Sequence, residues 1–246
     1  MNEIAGWIKP GLEKWSRIAA VSFLGELKVP RIITPARQRS VLVLTGHHLE
    51  ETSGPKFALE PDNFEAWMKD FGFTIFPIIN QYGLNFPATA NENLLRKDRW
   101  GRNYNSGWGR WPKAKEVGLI EADIKPRKFD VAVSLHEDST TPGKGSFYTN
   151  GVNGIWLDKF LDIIYFDHKY PLSSRPVTID EQDGQSCEDW LSKQGISTFL
   201  IESPFGLPMK ERQEFLGTFF YAILNLVGAD NGDILYPVKR RHSMTK

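Results

Sequence analysis

Apolar residues along this chain form runs of two kinds. Val41-Leu42-Val43-Leu44 is continuous and rich in Val and Leu, the pattern of a strand buried on both faces. Phe73 to Ile79, Phe129 to Leu135 and Ile196 to Ile201 are further runs of strand length. Between them the spacing turns helical. Pro61 to Phe71 has proline in its first turn, Phe64, Trp67, Met68 and Phe71 on one stripe, and Gly72 just past the end. Ile155, Leu157, Phe160, Leu161 and Ile164 predict an amphipathic helix over Gly154 to Phe166, and Lys210 to Val227 predicts a closing helix with Gly228 as its stop. Trp7 to Leu27 is helical in part, through Leu12, Trp15, Ile18 and Ala19, although Pro10 and Gly11 blur its start. Asn80 to Lys115, rich in Asn, Gly, Arg and Trp, shows no sustained period and predicts a long loop, a kind of segment that usually carries function. Strands alternating with helices predict an α/β domain, three layers α/β/α around a mixed, mostly parallel sheet, with sites beyond the carboxyl ends of the strands. There is no internal repeat, and the chain reads as a single domain over 1–246 with its core at about 40–228.

The polar residues that stand out fall at those strand ends. Val41–Leu44 leads into Gly46-His47-His48-Leu49-Glu50-Glu51-Thr52, which holds two overlapping His-x-x-Glu pairs, His47 with Glu50 and His48 with Glu51. An imidazole and a carboxylate three positions apart on a turn can grip one zinc ion, and a distant third ligand leaves a position open for water. An isolated string of this kind fits a solvated polar turn better than a metal site. His136, in Ser134-Leu135-His136-Glu137-Asp138, completes a set of two histidines and one glutamate, with Glu137 or Asp138 available to orient its ring. Glu202 ends the fourth run, where burial raises a carboxylate toward the range of a general base and a nearby zinc lowers it again. In the long loop, Arg96, Arg99 and Arg102 with Asn103 and Asn105 form a basic, amide-rich patch suited to an oxyanion or a substrate carboxylate. The interleaved Trp100, Tyr104, Trp108 and Trp111 also fit base stacking.

Composition narrows this. Thirty basic residues balance thirty acidic ones, so no net field draws the chain to nucleic acid or to an anionic membrane. Cys187 is the only cysteine, which excludes an intramolecular disulfide and a cysteine-rich zinc cluster, so any metal must use His, Asp and Glu. No secretory signal and no run of membrane-spanning length is visible, and the expectation is a soluble, cytoplasmic protein. No Walker loop, dinucleotide-binding glycine pattern or Gly-x-Ser-x-Gly elbow is present.

Taken in order, from about Val41 to Val227, these strings resemble the zinc carboxypeptidase family and its succinylglutamate desuccinylase and aspartoacylase relatives. The family's Gly-x-His-x-x-Glu falls on Gly46, His48 and Glu51, its third ligand on His136 and its catalytic glutamate on Glu202. An Asn-x-x-Gly turn is similar to Asn80 to Gly83, and an arginine followed by Gly-x-Asp-x-Asn-Arg resembles Arg96 or Arg99 followed by Gly101 to Ser106. The resemblance implies one zinc ion on His48, Glu51 and His136, Glu202 as general base and then acid, Arg99 or failing it Arg96 as oxyanion donor, and an amide-bond substrate. Two departures bear on that substrate. Ser106 stands where carboxypeptidases have the arginine that clamps a terminal carboxylate, with Arg102 or Arg110 as replacement, and Thr178 to Leu200 contains no family tyrosine, for which Tyr148 is the substitute. The expected substrate is therefore a peptide with a free C-terminus or, alternatively, a small N-acyl amino acid; a zinc-binding module without catalysis is the rival from another class.

Overall fold

The computed structural model describes residues 3–87, 90–138, 143–150, 177–178 and 186–228. The helix expected over Gly154 to Phe166 lies outside them. Among the described residues, helix α1 (Glu3–Trp15) precedes strands β1 (Ala20–Leu24), β2 (Val29–Ile33) and β3 (Arg39–Thr45), then α2 (Ser53–Ala58) and β4 (Phe71–Phe76). After α3 (Glu92–Arg96) and α4 (Lys115–Ile124) come β5 (Val131–Asp138), β6 (Ser146–Asn150) and β7 (Val177–Thr178), and α5 (Cys187–Lys193), β8 (Ser197–Pro204) and α6 (Met209–Gly228) complete the set. One sheet runs in the order β1-β2-β4-β3-β5-β8-β6-β7. Its centre, β4-β3-β5-β8, is parallel throughout, while β1, β2 and β6 join antiparallel toward the edges.

The layers follow from the alternation of side chains along β3. Val41 and Val43 point into a core shared with Phe57, Phe215, Phe219 and Phe220 of α2 and α6. Leu42 and Leu44 point the other way, into a core with Val117 and Ile120 of α4 and Trp190 and Leu191 of α5. A strand covered by helices on both faces has no polar side, which is why the run Val41 to Leu44 shows none. Each such fully buried residue contributes about 1.5–3 kcal/mol relative to exposure.

Several expected elements differ in detail. Pro61 to Phe71 is not one helix but two 3₁₀ turns, Pro61–Asn63 and Glu65–Trp67, leading into β4, so Gly72 sits inside a strand. The stripe still buries: Phe64 and Trp67, three apart, both enter the core, and Asn63 Nδ2 donates to the Phe57 carbonyl at 2.9 Å. Near the N-terminus the helix ends at Trp15, and Ala20–Leu24 is an edge strand zipped to β2. β4 stops at Phe76 because Pro77 has no N–H for the ladder. The strands β5 and β8, by contrast, continue past their apolar runs and stay paired through His136↔Glu202 to Asp138↔Pro204. His136, Glu137, Asp138 and Glu202 therefore sit on ladder backbone rather than on free loops.

Close approach of α2 to the sheet sets the position of the turn between β3 and α2. A Cβ on Gly54 would collide with Thr45 Oγ1 and lie 2.8 Å from the Leu135 carbonyl oxygen. Gly54→Ala is expected to destabilise the protein by about 1–3 kcal/mol through overpacking, read as a lower denaturant midpoint at unchanged slope.

Candidate metal centre

β3 ends at Thr45, and the chain reverses at Gly46, whose φ of +69° belongs to the left-handed region. A Cβ there would lie 2.9 Å from Ile78 Cα, so glycine is required by conformation and by space. Asn80 pins the outside of the turn. Its backbone N donates to the Gly46 carbonyl at 2.9 Å, its Nδ2 to the Leu95 carbonyl at 2.6 Å, and its Oδ1 accepts from Gly83 N at 2.7 Å. The Leu95 carbonyl also accepts from Leu49 N at 3.1 Å, which ties the His-x-x-Glu turn to α3 of the long loop.

This framework brings His48 and Glu51 against His136 from β5. One donor atom from each lies within 4.8 Å of the others, and all three residues are buried. His48 Nδ1 is 2.7 Å from Glu51 Oε1, and His136 Nδ1 is 2.7 Å from Glu51 Oε2. Each outer nitrogen is held from behind: His48 Nε2 lies 3.2 Å from Asn103 Oδ1 and His136 Nε2 lies 3.1 Å from Ser134 Oγ. With the outer nitrogens so occupied, both rings present Nδ1 to the same point as the carboxylate. Two imidazole nitrogens and one carboxylate are the donor set of an open zinc site, so the residues fit the ion.

The electrostatics agree. Burial alone would raise Glu51, but the charges and hydrogen bonds of His136 and His48 hold it well below the usual carboxylate range. Burial likewise opposes a charge on His136, and Glu51, with Glu188 and Glu202 beyond it, overcomes this and lifts the imidazole to about 9. Glu202, the ladder partner of His136, is pushed up to about 7, first by burial and then by Glu51, Asp138 and Glu188, against the opposing pull of His136. Both shifts have one source, the carboxylates gathered around His136.

No protein-family model and no curated protein matches the sequence. Solved structures do match. A metallopeptidase candidate from Shewanella amazonensis has a TM-score of 0.68 at 17% identity, over 91% of this chain and 92% of that one. A metallo-carboxypeptidase from Burkholderia cenocepacia has a TM-score of 0.72 at 15% identity, over 89% and 68%. A third, the metallo-carboxypeptidase from Pseudomonas aeruginosa in complex with (2-guanidinoethylmercapto)succinic acid, has a TM-score of 0.62 at 17% identity, over 89% and 68%. The fold is that of the zinc carboxypeptidases.

Within this carboxypeptidase fold, the other expected site residues are distributed unevenly. Arg96, at the end of α3, pairs with Glu50, which removes that carboxylate from the metal cluster. Arg99 is exposed and lies over the Trp100 ring at 3.9 Å, with no carboxylate partner among the described residues. Arg102 also lies over that ring, at 4.4 Å, and donates to Asp98 Oδ2 at 2.6 Å. Asn103 Oδ1, besides facing His48, accepts from Asn105 N at 2.8 Å. Tyr148, on β6, is partly buried, and Glu202 and Asp138 add to the burial that raises its phenol. Arg110 is exposed.

The ring of His136 is oriented by Ser134, on the same face two residues earlier, rather than by the two carboxylates that follow it. Glu137 points to the opposite face, where Ser53 N donates to it and Arg212 Nη1 donates at 2.6 Å. Asp138 accepts from Ser146 Oγ at 2.7 Å. His47 is fully buried and stacks on His136 with centroids 4.8 Å apart, and neither of its nitrogens has a partner among the described residues. Ser134 was visible only as period-two spacing before His136, and nothing local in sequence marks Glu188, which also acts on the site.

Proposed function

We propose that this chain is a zinc-dependent hydrolase of amide bonds, a metallocarboxypeptidase-like peptidase acting on a peptide with a free C-terminus. The observation that carries the reading is the convergence of His48 Nδ1, His136 Nδ1 and the Glu51 carboxylate on one buried point, with Glu202 on the neighbouring strand. Zinc held there supplies Lewis acidity and makes water nucleophilic near neutral pH.

The chain's own groups do the rest. Glu202 takes the proton of the attacking water on its carboxylate and delivers it to the leaving amine nitrogen as the C–N bond breaks. Without metal its carboxyl is pushed up to about 7, and zinc favours the ionised form that accepts the proton. Arg99, with no carboxylate partner among the described residues, is the donor to the oxyanion developing on the substrate carbonyl, and Arg96 takes this role if its pairing with Glu50 opens. Arg102 and Asn105 hold the substrate beside it, with Tyr148 near the leaving group. The Pseudomonas carboxypeptidase's ligand, a succinic acid with a guanidinoethyl arm, supports a carboxylate-bearing, peptide-like substrate.

The test is elemental analysis of purified protein together with turnover of matched peptides bearing a free or an amidated C-terminus. One zinc per chain and hydrolysis of the free acid alone are expected. Turnover restricted to N-acyl amino acids would replace the peptidase reading with the deacylase. Bound zinc without hydrolysis across both panels would leave a binding module.

A further inference from the structure

Alternation along β5 and β8 puts the site residues on one face of the sheet and their sequence neighbours on the other. His136 and Glu202 are ladder partners on the metal side, and the next pair, Glu137 and Ser203, faces α2 and α6. That layer is otherwise a core of Phe57, Phe215, Leu216 and Phe219. Within it, the buried Glu137 carboxylate accepts from the backbone N of Ser53, the first residue of α2, and from Arg212 Nη1 of α6 at 2.6 Å. The same arginine nitrogen donates to Thr52 Oγ1 at 3.3 Å. Thr52 precedes α2 and makes no side-chain cap of its own, so Glu137 supplies the acceptor that the helix start lacks. Ser53 Oγ lies 2.7 Å from Ser203 Oγ. Every group in this network is one or two positions from a residue of the metal side: Thr52 and Ser53 follow Glu51, Glu137 follows His136, and Ser203 follows Glu202.

An ion pair is an inefficient way to stabilise an apolar layer. Burial pushes the Glu137 carboxyl up, and Arg212 and Ser53 oppose it. Exchanging a buried pair for uncharged groups of similar volume is often neutral or stabilising, whereas removing one partner is costly. What the pair adds is a fixed distance. Glu51 reaches His48 and His136 through its two oxygens at 2.7 Å each, so a shift of the chain at 52–53 relative to β5 opens the ligand set. The other end of the turn is already held, by Asn80 at Gly46.

We propose that Glu137 and Arg212 are positioning residues of the metal centre: from the opposite face of the sheet they fasten the start of α2 to β5 and so set the separation of Glu51 from His136. The inference rests on the zinc reading and deepens it.

The test is the zinc affinity of the metal-free full chain, measured by competition with a chromogenic chelator, alongside its melting temperature. Arg212→Met is expected to weaken zinc by about 10–100-fold, the range for groups that orient ligands from behind. The double variant Glu137→Gln/Arg212→Met leaves no unpaired buried charge and keeps an acceptor for Ser53 N. It should melt near wild type yet show the same loss of affinity, no larger than that of the single variant, because the two residues act as one unit. Cobalt(II) gives a spectroscopic readout: its visible bands should change in both variants. Ile120→Ala, a cavity under α4 on the other face, should lower the melting temperature and leave zinc affinity unchanged. If Arg212→Met fails to fold, the double variant decides. Wild-type zinc affinity and cobalt spectrum in the double variant overturn the proposal, and so does an equal loss of affinity in Ile120→Ala. Wild type that binds neither metal overturns the zinc reading itself, and this inference with it.

Discussion

Replacing Glu202 by glutamine is expected to lower kcat by about 10²–10⁴-fold, the range of a lost general base, without loss of bound metal. Glutamine keeps the shape of the side chain on a strand whose backbone is locked in register with His136, so only the proton acceptor is removed. The pH dependence has a definite sign. Burial, then Glu51, Asp138 and Glu188, raise Glu202 to about 7, and the base acts only when ionised, so activity falls as pH falls through its titration. Zinc favours the ionised form, which puts the acid limb of kcat/KM in the loaded protein at or below about 7. That limb should vanish in the variant. The same raised value means the metal-free protein loses stability as pH rises from the ordinary carboxylate range through about 7. Metal-free Glu202→Gln should therefore melt higher than wild type at pH 8. Full activity of the variant would remove Glu202 from the mechanism.

What the chain declares about itself depends on how local each cause is. Val41 to Leu44 is legible because burial on two faces is written in consecutive residues, and the turn at Gly46 because its glycine precedes two ligand pairs. Choosing between those pairs requires the distant partners. Glu50 is drawn off by Arg96, while Glu51 bridges His48 and His136, and all of these contacts but the one with His48 cross long stretches of sequence. Pro61 to Phe71 misleads for a related reason. Its stripe reports correctly that Phe64, Trp67 and Phe71 are buried, but two short turns and a strand bury them as well as a helix would. That Glu188 has no hydrogen-bond partner among the described residues has no sequence signal at all, since it consists of contacts that are missing.

Removing the metal, or its ligand His136, should have the second large effect. Zinc that binds the folded chain and not the unfolded one adds about 4 kcal/mol at a free concentration near 1,000 times Kd. For a chain of this size that is a rise of roughly 8–16 °C in Tm. His136→Ala should abolish the zinc-dependent rise and the hydrolysis together. A polar replacement of His47, such as His47→Gln, should keep the zinc response, because the ligand geometry involves His48 and not its neighbour. The pH dependence again has a sign. Metal-free His136 titrates at about 9, held up by Glu51, and only its neutral form binds metal. Zinc loading at pH 7 therefore releases a proton, and affinity increases toward pH 9, both measurable by calorimetry in buffers of different ionisation enthalpy. In the metal-free chain the His136–Glu51 pair contributes stability that is fully present below the ordinary histidine range and is lost as pH rises through about 9. Metal binding and the apo ion pair thus compete for one nitrogen. A zinc response that stayed flat from pH 6 to 9 would show that His136 Nδ1 is not the atom that binds.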